Sequence, residues 1–308
     1  MRLRFCAAIA LWAGSLFGAD PGLLSLAMPD ARVMAGVNFD QTKSSPFGQF
    51  LLAQAAREET GLQVLIGTTG FDPRRDVREV LMASTGQGGQ QNGVLLIRGT
   101  FDVARIVGAA LSGDKPVEEY MGVQVIGFGN GGHGSLALLD STLAIAGTDP
   151  EVRAAIDRKS TPAAIPSDLA VRVNQLSTTS DVWFVSLVPL AQLKPQMAPE
   201  GETPRQPDMV NKVQQASLSV KFGSNVALTA QTVSPTAQDA TALADMVRFL
   251  SGMAKMNAAR DPSAAGLISL LEAIIVKTDG AVTTLSLTVP EQQIEQMIDA
   301  GSVPGAKI

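Results

Sequence analysis

The sequence predicts an α+β fold of two related halves, each a mostly antiparallel sheet with helices packed on one face. Three observations carry this. A short apolar strand, a cap, a proline and an amphipathic helix follow one another in residues 141–157, and the same order returns in residues 283–299. Apolar and polar residues alternate cleanly in 216–222 and 226–231, the mark of strands with one packed and one wet face. Strand–helix steps begin near Val33, Val94 and Thr142, and again near Val182, Val226 and Val282. The expected organisation is a leader over 1–19, a first half over 20–160, a Pro/Ala-rich linker over 161–167 and a second half over 168–308.

The leader has the parts of a secretory signal. Arg2 and Arg4 supply the positive start, Phe5 to Phe17 the apolar run, and Gly18-Ala19 small residues for cleavage before Asp20. Phe17 is bulkier than the residue usually found three before a cut. An uncleaved anchor is the alternative, but the run falls short of the ~20 residues that span a bilayer. Cys6, the one cysteine, would leave with the leader. Disulfides, thiolate metal sites and a cysteine nucleophile would then be excluded from the processed chain. The expected location is exported, periplasmic or extracellular, with no membrane span in the mature chain.

Taken in order, 23–27 is a short helix or an extended entry, and Arg32–Phe39 a strand. Ser45 caps a helix that starts at Pro46, buries Phe47, Phe50 and Leu51, and stops at Gly61. Residues 70–76 form a charged turn. Strands 77–84 and 94–99 flank a Gly/Asn-rich hairpin loop, and Asp102 opens a helix. Residues 117–128 bend at Met121-Gly122. Strands 135–140 and 142–146 turn at Asp140-Ser141, and Asp149 caps the helix that begins with Pro150. In the second half, Asp181–Val188 is a strand and the proline-rich 194–208 a loop. A hairpin turns at 223–225. The longest helix spans about 236–258, with Leu243, Met246, Val247, Leu250 and Met253 in one stripe. Asp261 caps another helix, a hairpin turns at Asp279-Gly280, and a final helix precedes a fraying tail after Gly301.

Composition narrows the function. The net charge is −5, against a nucleic-acid binder, which needs clustered Lys and Arg. Aromatics make up 5 % of the chain, too few for stacking platforms. No cofactor or metal is implied. His133 stands alone in a glycine-rich loop, a candidate base or ligand without a second ligand nearby; a plain exposed loop histidine is the competing reading. Arg74 and Arg75 could grip a carboxylate or phosphate, or could pair with the neighbouring aspartates. The G-x-G-x-x-G at 127–132 precedes a strand rather than a helix, so it is no dinucleotide loop. Ser112-Gly113-Asp114-Lys115 matches S-x-x-K but ends a helix, where an acylated serine should begin one.

Residues 28–33 leading to Ser45-Pro46-Phe47-Gly48, with Gly70-Phe71-Asp72-Pro73 and 148–153, resemble exported bacterial proteins of unknown function. The resemblance implies an exported α+β protein and transfers no catalytic residue. The function expected is a non-enzymatic binding or scaffolding protein of the cell envelope, with unknown ligand and a protein partner as one candidate. The alternative is a hydrolase using carboxylates such as Asp72 or Asp76 with Asp140.

Overall fold

Capping residues set the first turns. The computed structural model describes residues 18–57, 60–86, 93–129, 134–193, 208–258, 260 and 265–299. Asp20 accepts from the N–H groups of Gly22 and Leu23 and starts a one-turn helix, α1 (Pro21–Leu24). Strand β1 (Val33–Asn38) runs into α2 (Phe39–Ser44), capped by Asn38. Ser45 accepts from the Gly48 N–H at 2.9 Å and opens α3 (Pro46–Arg57), as its sequence predicts. Gly61 ends no helix; it lies in the first turn of a further one, α4 (Thr60–Thr69), where a glycine costs only about 1 kcal/mol. Asp72 caps α5 (Pro73–Asp76), then come β2 (Val77–Ser84), β3 (Gly93–Gly99) and α6 (Val103–Ser112).

Strands β4 (Val117–Tyr120) and β5 (Val123–Phe128) meet at Met121 and Gly122, whose φ values of 49° and 78° make the tight turn. β6 (Gly134–Asp140), β7 (Leu143–Thr148) and α7 (Asp149–Ser160) complete the first half. Asp149 is not the cap of α7. It lies within the helix, accepting from the Ser135 hydroxyl and from Arg153 one turn on. The linker packs Ile165 against the core and leads into α8 (Ser167–Thr179), which buries Leu169, Val173 and Ser177 four residues apart.

The second half holds β8 (Val182–Ser186), a 3-10 turn (Leu190–Gln192), α9 (Asp208–Asn211), β9 (Gln215–Lys221) and β10 (Asn225–Val233). It ends with α10 (Ala237–Ala258), α11 (Ala265–Glu272), β11 (Ile275–Asp279), β12 (Val282–Pro290) and α12 (Glu291–Asp299). The leader's apolar run, the proline-rich loop, the Asp261 cap and the tail lie outside the described residues.

The described strands form one twelve-stranded antiparallel sheet in the order β11-β12-β10-β9-β8-β1-β2-β3-β7-β6-β5-β4. The two halves are therefore continuous through the sheet, joined where β1 pairs β8 from Val33↔Ser186 to Val37↔Val182. Outward from that seam the first five strands run alike on both sides, β1-β2-β3-β7-β6 and β8-β9-β10-β12-β11, and β5 and β4 extend the first side alone.

Strand alternation sorts the core. Trp183, Gly36, Leu81, Leu96, Ile145, Ala137 and Val125 stand in register across seven strands. They face α1, α7 and α8, which bring Leu23, Val152, Ala155, Ile156, Leu169 and Val173 onto them. Burying each large aliphatic here contributes about 1.5–3 kcal/mol. Gly36 leaves room for an indole, since a Cβ there would stand 2.5 Å from the Trp183 ring. The alternate row, with Ile97, Ala144 and Leu138, meets Phe101 and the Val103, Ile106 and Val107 stripe of α6. The α+β class and antiparallel pairing are as expected, while the first half carries helices on both faces of its sheet.

Candidate functional site

The packed row ends in charge. One register position beyond Gly36, Leu81 and Leu96 on the same face would be apolar in a plain core strand. Instead Asn38 stands opposite Glu79, and Glu79 opposite Arg98, across β1, β2 and β3. The register shifts between Val77 and Glu79, a bulge that re-aims Arg78 into the same space. Asp40, Gln41 and Ser44 come from α2, and Asp20 from the entry to α1. Together they wall an open cavity of about 480 Å³.

Its groups are unequally satisfied. Arg98 grips Asp20 with two parallel bonds of 2.8 and 3.1 Å, and also reaches the Thr142 hydroxyl at 3.3 Å. Burial works against an ionised Asp20, but the Arg98 guanidinium and the Gly22 and Leu23 N–H groups outweigh it and hold the carboxyl below its usual range. Glu79 accepts from the Asp20 backbone N–H at 3.2 and 3.3 Å through its two oxygens. Burial pushes the Glu79 carboxyl up to about 7, the Asp20 N–H and Arg98 pull it down, and the Asp20 and Asp40 carboxylates add to the rise. Among the described residues, neither Asp40 nor Arg78 takes part in an ion pair, and both are exposed.

The residues singled out from sequence lie elsewhere. Arg74 spends its fork on Asp72 at 2.9 and 2.8 Å, and Arg75 on Asp76 at 2.7 Å to each oxygen and on the Gly70 carbonyl. These bonds hold both aspartates below the usual carboxylate range and fold the α5 turn on itself. Asp140 accepts from the Thr142 N–H and hydroxyl, locking the β6–β7 turn. Ser112 donates to the Gly108 carbonyl at the end of α6. His133 lies outside the described residues. Among the described residues no cluster of three or more His, Cys, Asp or Glu side chains is placed to hold a metal ion. No described helix is long and apolar enough to cross a membrane.

Glu79 and Arg98 carry a sequence signal that is not a motif. Each is a charge at an inward position of a strand that is otherwise apolar, Val80-Leu81-Met82 in one case and Val94-Leu95-Leu96-Ile97 in the other.

Comparison with known proteins adds the fold and nothing finer. No family model and no curated protein matches the chain. Among solved structures, crystal form IV of TP0453, a Treponema protein, aligns with a TM-score of 0.53 at 10% identity, covering 89% of this chain and 95% of that one. Crystal form III of TP0453 gives 0.51 at 9% identity, over 90% and 97%. The chain therefore shares an α+β fold with a bacterial protein over most of both lengths, at an identity that carries no side-chain correspondence.

Proposed function

We propose that this chain is an exported, non-enzymatic binding protein of the bacterial cell envelope, and that the cavity beside Glu79 takes a small zwitterion. One observation carries the binding reading: an unpaired carboxylate, Asp40, and an unpaired guanidinium, Arg78, open onto one polar cavity whose remaining charges are held in place. Opposite charges on the lining of one cavity suit a ligand that carries both. The leader's charge, apolar run and small-residue end support export. The matching strand order on the two sides of the β1–β8 seam supports an origin by duplication, with 20–160 and 168–308 as the halves.

The test is thermal unfolding of the purified chain with glycine, lysine, betaine and taurine in excess. A rise in midpoint for at least one, lost in both Asp40→Asn and Arg78→Gln, is expected. No rise with any of the four sinks the zwitterion reading. Recovery of full-length chain from the cytoplasm alone, after osmotic shock of the cells, sinks export.

A second reading is favoured by Glu79 itself. A carboxyl near 7 that shares one cavity with a second carboxyl, Asp40, is the pairing a carboxylate-dependent hydrolase uses, one group as acid and the other as base or nucleophile. Hydrolysis of nitrophenyl glycosides that disappears in both Glu79→Gln and Asp40→Asn would establish it.

A further inference from the structure

The Glu79 carboxylate faces a backbone nitrogen that export would change chemically. The Asp20 nitrogen lies between both Glu79 oxygens, at 3.2 and 3.3 Å. An amide has a single proton to share between them. The nitrogen is held there by bonds independent of Glu79: the Asp20 side chain caps α1 and is clamped by Arg98. We infer that cleavage between Ala19 and Asp20 creates an α-ammonium at this position, and that Glu79 is the built-in receptor for it.

The inference rests on the export reading. Hydrolysis of the peptide bond consumes one water. The Ala19 carbonyl leaves with the leader as a carboxylate, and the nitrogen stays on Asp20 as –NH3+. One shared proton becomes three donors and a full positive charge, aimed at a half-buried carboxylate that accepts from one amide in the uncut chain. The groups facing the new charge are Glu79 and the Asp20 carboxylate, with Asp40 and Arg78 lining the same cavity; Arg98 is already spent on Asp20. Ala19 is buried in the uncut chain, its N–H on the Ser177 hydroxyl at 2.8 Å, and that contact is lost with the leader. The Ser177 hydroxyl keeps the Asn174 carbonyl as an acceptor.

The pair has a consequence for the two readings above. An ammonium beside Glu79 favours its ionised form, so the carboxyl that burial holds near 7 in the uncut chain falls in the processed one. An ionised Glu79 suits a binding wall and lacks the proton that a hydrolase would need to donate.

The experiment starts from the chain expressed with its own leader in a bacterium. N-terminal sequencing and intact mass of the exported form are expected to show a chain beginning at Asp20. The α-amine of that form is then titrated by competitive acetylation, in the wild type, in Glu79→Gln and in wild type unfolded in urea. The native wild-type amine should titrate at least about one unit above the other two, a roughly tenfold lower reactivity near neutral pH. The urea comparison needs no variant and stands if Glu79→Gln fails to fold. An exported chain that begins at another residue, or an Asp20 amine that titrates alike in the native and unfolded wild type, overturns the ion pair and leaves export standing. An uncut chain confined to the cytoplasm overturns both.

Discussion

The first five strands on each side of the β1–β8 seam share an order and differ in how they are covered. In the first half, Leu81, Leu96, Ile145 and Ala137 are completely buried under α1 and α7. In the second, the equivalent inner strands β9, β10 and β12 are mostly half-exposed, with Val226 and Val289 as their buried apolar residues. The helices tell the same story. α7 buries Val152, Ala155 and Ile156, whereas α10 buries Ala240, Leu243 and Ala244 in its first turns and then exposes Phe249 at 66% and Met256 at 65%. One topology therefore supports a complete core on one side of the seam and a partial one on the other. The charged cavity lies at the end of the complete core, where rigid strands hold its groups in register.

Large-to-small substitutions at matched places should separate the halves most. Ile145→Ala on β7 removes a fully buried side chain and is expected to cost about 2–5 kcal/mol, read as a fall in the urea midpoint. Leu285→Ala on β12, where the side chain is half-buried, should cost less than half as much. Equal losses would mean that the second half is covered as well as the first, and the comparison would break.

The seam should behave like the first half. Gly36→Ala puts a Cβ 2.5 Å from the Trp183 ring, in a strand paired on both sides, so neither backbone nor indole yields easily. A loss of about 1–3 kcal/mol is expected in the same urea titration. Near-neutral behaviour would show that Trp183 can move, and that the seam is looser than the packed row beside it.

The charged end of that row is predicted to add a pH dependence near neutrality. In a chain whose residue 20 nitrogen is an amide, whether uncut or acetylated, Glu79 has a folded pKa of about 7 against an ordinary 4.5. The folded state then binds the proton more tightly. Its contribution is complete below about 4.5 and is lost as pH rises through about 7. The loss should amount to about 1–2 kcal/mol after allowance for solvent screening, and Glu79→Gln should flatten the curve. With a free Asp20 ammonium, the ion pair should remove most of the slope below neutral pH. A slope that survives in Glu79→Gln assigns it to another group.

Much of the fold was legible because hydrogen-bonding chemistry is local. The turns at Met121-Gly122 and Asp279-Gly280 and the Ser45 cap follow from a few neighbouring residues, and the structure places them where the sequence does. What required the structure is what depends on distant partners. Asp149 looked like a cap, yet its carboxylate goes to Ser135 and Arg153. The cavity is not legible in the sequence because its groups are spread from Asp20 to Arg98 and meet only through strand register. Arg74 and Arg75 drew attention by density of charge, and density in sequence is also what lets neighbours pair with each other.

α10 is where periodicity and burial part company, and it gives the smallest predicted effects. Leu243, Met246, Val247, Leu250 and Met253 form one stripe by spacing, but Leu250 is 49% exposed and Met253 42% exposed. An apolar stripe states which residues share a face; whether anything covers that face is decided by the rest of the chain. Leu250→Ser and Met253→Ser should therefore change stability by no more than about 0.5 kcal/mol each. Gly252, with nothing within 4 Å of a Cβ built on it, should be stabilised by alanine by about 0.4–1 kcal/mol, the opposite sign to Gly36. A large loss from either serine variant would show that the second half of α10 is covered after all, and with it would go the contrast between a complete core and a partial one.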